Sequence, residues 1–365
     1  MNAHAIAGGG IVVAFILFAA LMIARKLPAL LAVPLLAVAI AAIAGVPLSG
    51  LGDVVSKGAA ALAGAYTTVI FGALLSRVVM QTGIAETIVQ SAAEFGGERP
   101  LGLALVRCAA VATLFPSQTG LGAIIMVGTI VLPVMMTSGV PRATAATLFL
   151  LSFALGFILN IAQWKFYHEL FGIDQAQLQA FAEVLFAIDA LALVAYAVIR
   201  ARTTRDYATW SVAATPVAPR ARAKPWTLVA PVLPLVLFVG FHVEAIVAFA
   251  LSAVFAAVAS GPRSSIRVLV AASIRGLEDV APAVILFMGI GMLLVAAKTP
   301  QVAAAIEPIV ATLAPRTPLA YVVVFGLLSP LALYRGPLNP FGVGIGCTPY
   351  SPRYTCCRRS RSSPP

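Results

Sequence analysis

Charged residues are scarce in this chain. Only 10% of its 365 residues are Asp, Glu, Lys or Arg, and 13 acids stand against 24 bases. A soluble domain carries about a quarter charged residues. Such a surface could not be kept in water, so most of it must face lipid or other membrane helices. Histidine is scarcer still. His4, His168 and His242 lie far apart, and with four cysteines they offer no metal-ligand spacing. No Ser/His pair, His-x-x-x-His run or aspartyl dyad is visible, so the chain is not expected to be an enzyme. No cofactor is implied.

What is present is apolar. Hydrophobic residues make up 61% and the mean hydropathy is +1.00. The net charge of +11 does not form one basic face; it sits in loops, where positive charge orients a membrane protein. Nucleic acid is thereby excluded as a partner. Cys108 lies inside an apolar run as a small core residue, whereas Cys347, Cys356 and Cys357 follow the end of the membrane pattern. The N-terminus resembles a signal peptide but has no basic stretch before its apolar run. Arg25 and Lys26 come after it, so the segment reads as a first membrane helix entering from outside.

Apolar segments predict spans at 9–24, 28–45, 58–80, 143–163, 179–199, 226–241, 243–260 and 281–297. Three stretches of mixed polarity, 83–97, 264–278 and 300–314, read as helices lying in the interface or as loops. The segment 101–138 has two apolar arms around a polar break, too short for two comfortable crossings. It is expected to enter and leave on one side as a re-entrant hairpin.

The pattern repeats after about 217 residues. Pro100 precedes an apolar run that breaks at Ser117-Gln118-Thr119-Gly120. Pro318 precedes another that breaks at Arg335-Gly336-Pro337-Leu338-Asn339, with 17 residues from proline to break in both. Charge tests the layout. The loop 200–225, with Arg200, Arg202, Arg205, Arg220, Arg222 and Lys224, is placed in the cytoplasm. Counting outward, Arg25, Lys26, Arg99, Arg142, Arg263, Arg267 and Arg275 also fall inside, and only Lys57, Lys165, Lys298 and Arg316 fall outside. The first repeat then makes an odd number of crossings, so the two repeats are inverted. The expected fold is an all-α integral membrane protein, an inverted repeat with two re-entrant hairpins whose second repeat is truncated. Its parts are a first repeat at 1–199 with the hairpin at 101–138, a cytoplasmic linker at 200–225, and a second repeat at 226–346.

Paired breaks at matching depth point to ligand binding. Half-helix N-termini suit a carboxylate, while carbonyl ends and side-chain oxygens suit Na+ or a proton carrier. Ser117, Gln118 and Thr119 offer such ligands, and Gly120 lets backbone approach closely. In the second tip Gly336 and Pro337 break the helix, Asn339 supplies an amide and Arg335 a charge suited to an anion. The bland alternative is that both tips are structural turns. Asn160, with Gln163, marks a candidate second discontinuity beside the first tip. Asp189 reads as a proton relay or a helix–helix hydrogen bond, and Arg77 and Arg107 as snorkelling arginines.

FGALLSRVVMQTGIAETIV…GGERP, the Ser-x-Thr-Gly-containing break and GAIIMVGTIVLPVMMTSGVP resemble the ion transporter superfamily, best over 58–163 and 281–346. That group includes sodium- or proton-coupled di- and tricarboxylate symporters, citrate–metal symporters, gluconate permeases and the large membrane subunits of TRAP transporters. The resemblance implies symport of a small organic anion with Na+ or H+, bound at two hairpin tips by Ser117, Gln118, Thr119, Gly120, Gly336, Pro337 and Asn339. Gln118 departs from the Asn common in the dicarboxylate branch, and LYRGPLNPFGVG departs from the usual second tip. The alternative is a TRAP-type subunit served by a soluble binding protein. Expected partners are a small organic anion and the lipid bilayer of the inner (plasma) membrane, with a homodimer left open. Residues 347–365, rich in Arg, Ser, Pro and Cys, cannot form the hairpin's return arm. They are expected to be an out-of-frame tail that leaves the chain inactive in transport.

Overall fold

A computed structural model describes residues 3–95, 100–137, 139–203, 222–261, 263–313, 317, 319–320, 322–324 and 326–327. Among them the only regular structure is helical. In order the helices are α1 (Ala3–Ile23), α2 (Ala29–Ile43), α3 (Leu48–Ala60), α4 (Ala63–Gln81), α5 (Ile84–Phe95), α6 (Pro100–Leu114), α7 (Leu121–Thr137), α8 (Arg142–Ile158), α9 (Ile161–Phe171) and α10 (Gln175–Thr203). An irregular stretch follows, with one short α turn, α11 (Leu233–Leu235). Then come α12 (Ala245–Ser260), α13 (Ser265–Lys298) and α14 (Pro300–Leu313).

Four segments, Ile6–Ile23, Leu48–Gln81, Gln175–Arg200 and Ser265–Lys298, are long and apolar enough to cross a membrane. The bent pair α8–α9 makes a fifth. Their outward faces are apolar: Val13, Ile16, Phe181, Ile188 and Leu191 are each more than half exposed. That surface fits lipid, not water, and marks a membrane-embedded protein.

The chain forms two compact units, Met1–Ala61 with Ile285–Pro365, and Leu62–Val284. In the first, α1 and α2 close on α14 around Ile11, Ala14, Leu36, Ile40, Val302 and Ala305. A second cluster joins Ala37, Ala41 and Val54 to Met292 and Ala296 of α13. Gly58 and Gly291 let α3 and α13 touch backbone to backbone, since a Cβ on either would overlap main-chain atoms of the other helix. Small residues at a contact are how membrane helices gain close packing. In the second unit α4 packs along α12 and α9, and α6 lies between α5, α8 and α10.

Several segments differ from expectation. The stretch 83–97, expected as an interfacial helix or a loop, holds a helix, α5, which buries Ile84, Ala85, Val89 and Ala92 and packs on α4, α6 and α7. An amphipathic pattern marks a helix against protein as well as one against headgroups. Residues 264–278 and 281–297 are one helix, α13, running through Pro282; a single proline removes one hydrogen bond and need not end a helix held by neighbours. The expected span 226–241 is a series of turns: a 3₁₀ turn at Pro225–Val229, α11 and a π turn at Val236–Gly240. Pro225, Pro231 and Pro234 remove the donors a continuous helix would use. Arg107 does not snorkel; it is 5% exposed, and its Nη1 donates to the Val134 carbonyl at 3.0 Å, tying α6 to α7.

Candidate functional site

α6 ends because of its own sequence. Pro116 has no N–H to carry the helix on, and a proline disfavours the helical region for the residue before it. Ser117 Oγ then donates to the Leu114 carbonyl at 3.2 Å, satisfying one of the helix's terminal acceptors. Gly120 turns the chain back at φ +92°, a conformation that favours glycine, and α7 starts at the next residue. Residues 100–137 are thus a helix–break–helix hairpin.

The break is buried. Ser117 is 0%, Gln118 2% and Thr119 6% exposed. Thr119 Oγ1 donates to the Val69 carbonyl of α4 at 3.2 Å, and Gly72 makes that approach feasible. A Cβ at Gly72 would stand 2.9 Å from both Thr119 Cγ2 and Oγ1. Val69 and Gly72 lie near the middle of α4, so the hairpin reaches about halfway along that helix, roughly 14 Å from its start at 1.5 Å per residue.

A second break meets the first. α8 and α9 are bent by 59° at Leu159–Asn160. Asn160, fully buried, caps α9 by accepting from the Ala162 N–H at 3.0 Å. Its Nδ2 donates to the carbonyls of Phe115 at 3.3 Å and Gln118 at 3.1 Å. One side chain therefore closes two helix ends. Gly156 brings α8 against α6, where a Cβ would sit 2.8 Å from Phe115 Cβ and overlap the Ala112 carbonyl. Gln163 lines an apolar cavity of about 520 Å³ with Trp164, Phe181 and Leu185.

Gln118 is the chemically open member. Its Oε1 accepts from Ser76 Oγ of α4 at 2.5 Å, while its buried Nε2 has no hydrogen-bond partner among the described residues. A buried amide donor without an acceptor costs about 1–3 kcal/mol, so such a group asks for an explanation. On the other side of the tip, Arg77 of α4 pairs with Asp279 of α13. Nε and Nη2 donate to Oδ2 and Oδ1, each at 2.5 Å, with side chains 20% and 19% exposed. Arg77 is therefore not a snorkelling residue. Asp189 Oδ2 in α10 has no hydrogen-bond partner among the described residues.

The opposite end of α4 carries a separate polar group. Glu169 of α9 accepts from the Ala65 N–H at 2.8 Å, and Lys165 lies 3.7 Å from Glu169 and 3.8 Å from Glu244. Glu244 in turn caps α12 through the Ile246 N–H. Elsewhere in this unit Thr87 Oγ1 accepts from the Ala223 N–H, and Arg200 donates to Thr144 Oγ1.

The structure thus brings Ser117, Gln118, Thr119, Gly120 and Asn160 together. Arg335, Gly336, Pro337 and Asn339 lie outside the described residues, as does the tail after Gly346. Ser76, Arg77 and Asp279 were missed as site residues. One signal was available: an arginine set alone in an apolar run, as Arg77 is, has to find an acid or a ligand. Among the described residues no group of three or more His, Cys, Asp or Glu converges as a metal site. The tip combines the positive end of α7, an open amide donor and hydroxyl and carbonyl oxygens, a set that suits a carboxylate with a small cation. Comparison of the chain with protein-family models, curated proteins and solved structures finds no match to any of them.

Proposed function

We propose that this chain is a secondary active transporter of a small organic anion, a carboxylate, coupled to Na+ or H+ and bound at the tip of the α6–α7 hairpin. One observation carries the reading: a buried helix break, pressed against a second break at Asn160, that leaves the Gln118 amide donor unsatisfied. Two interruptions at one depth cost unsatisfied backbone groups unless a ligand or packed neighbour answers them. In this reading α6–α7 is a re-entrant hairpin in the first half of an inverted repeat. The charge pattern supports a sidedness with Arg200 and Lys224 in the cytoplasm and Lys165, which lies 3.7 Å from Glu169 and 3.8 Å from Glu244, outside.

The test is binding to the purified 365-residue chain in detergent. Succinate, citrate and gluconate are each titrated in sodium or choline chloride, at neutral and mildly acidic pH, and followed by thermal shift. A cation-dependent shift with at least one carboxylate is expected. Thr119→Ala and Gln118→Ala should each weaken it about tenfold or more, near 1.4 kcal/mol. No shift under any combination, or unaltered binding by both variants, overturns the proposal.

A further inference from the structure

The Arg77–Asp279 pair has the form of a ligand complex. Asp279 sets its two oxygens against the Nε–Nη2 edge of the guanidinium, the bidentate pose in which arginine holds a carboxylate. Among the described residues the remaining outer nitrogen, Nη1, meets only the Met126 thioether at 3.4 Å, a weak acceptor. The carboxylate also stands beside the first turn of α7. A Cβ on Gly122 would lie 2.9 Å from Asp279 Oδ1, and one on Gly120 would lie 3.8 Å from Asp279 Cβ. There the backbone N–H groups lack intrahelical partners and the helix dipole is positive.

Two features favouring an anion therefore meet beside this tip: the guanidinium of Arg77 and the start of α7. The anion found there belongs to the chain and comes from a different helix, α13. Gly120 and Gly122 leave it room.

We propose that Arg77 is the receptor for the substrate's carboxylate, and that Asp279 is a tethered stand-in which occupies that receptor in the empty site and yields it when substrate binds. This rests on the carboxylate reading of the tip and names which group takes the carboxylate. It differs in sign from a purely structural ion pair. Removing Asp279 from a structural pair leaves a charge uncompensated and does nothing for a ligand. Removing a competing carboxylate frees the fork and abolishes like-charge repulsion at contact distance, so the ligand binds more tightly.

The experiment measures dissociation constants for succinate and citrate on the full chain in detergent by isothermal titration. Asp279→Asn is expected to tighten binding about tenfold or more. Arg77→Lys, which keeps the charge but not the fork, is expected to weaken it about tenfold or more. Lys57→Gln, in an exposed pair with Asp53, is the control. If binding depends on Gln118 but Asp279→Asn leaves it unchanged or weaker, the stand-in is wrong and the tip reading survives. If neither wild type nor Asp279→Asn binds any carboxylate, both fall. Where Asp279→Asn is not monodisperse, Arg77→Lys decides, because wild-type affinity in that variant refutes the receptor.

Discussion

Asn160 gives the sharpest test of how the tip is held together. Replacing it with alanine removes the cap of α9, worth about 1 kcal/mol. It also strips the donor from two carbonyls, those of Phe115 and Gln118, in a place where Phe115 is fully buried. Each stranded acceptor costs about 1–3 kcal/mol, so the total is about 3–5 kcal/mol allowing for relaxation. Asn160→Asp separates the two roles. Aspartate keeps the cap oxygen and the shape but offers oxygen where the carbonyls need N–H. It should therefore destabilise as much as alanine does, despite being nearly isosteric. The assay is the melting temperature of monodisperse protein in detergent. A unit of this size loses about 2–4 °C per kcal/mol, so both variants should melt about 6–20 °C lower. Wild-type melting of Asn160→Asp would refute the argument, and would mean that water, not Asn160, satisfies those carbonyls.

Two glycines in helices should respond with opposite sign. Gly156→Ala pushes a Cβ into the Ala112 carbonyl and Phe115, and should cost about 1–3 kcal/mol, whereas Gly52→Ala meets nothing and should gain about 0.5–1 kcal/mol. Melting temperatures that move together would contradict the packing. On a background lacking Cys108, Cys347, Cys356 and Cys357, cysteines at the exposed positions Lys224 and Asp174 should label from opposite faces, Lys224→Cys from the cytoplasm and Asp174→Cys from outside. Labelling of Asp174→Cys from the cytoplasm removes the proposed topology.

The apolar runs made much of the helix inventory legible, because a membrane helix advertises itself by length and hydropathy. The tip at Ser117–Gly120 was legible for a different reason: proline, small polar residues and glycine together cannot continue a helix. Gly156 followed by Asn160 carried the second break in the same way. Arg77 and Asp279 were not legible as a pair, since 202 residues separate them and no periodicity links α4 to α13. The stretch 226–241 failed on its prolines, which hydropathy ignores, and the protein neighbours of α5 were not legible because polarity on one face does not say what covers the other.

Because Asn160 is both the hook on the hairpin and the first anchor of α9, the tip cannot shift without either losing that hook or swinging α9. α9 is 11 residues long, a rod of about 16 Å. A rotation of about 10° at its hinge would carry its far end about 3 Å. That end holds Glu169, whose carboxylate grips the start of α4. A stroke of that size exceeds the slack of a hydrogen bond. Occupancy at the buried tip would thus be felt as release or tightening of a latch on the opposite rim of the same unit.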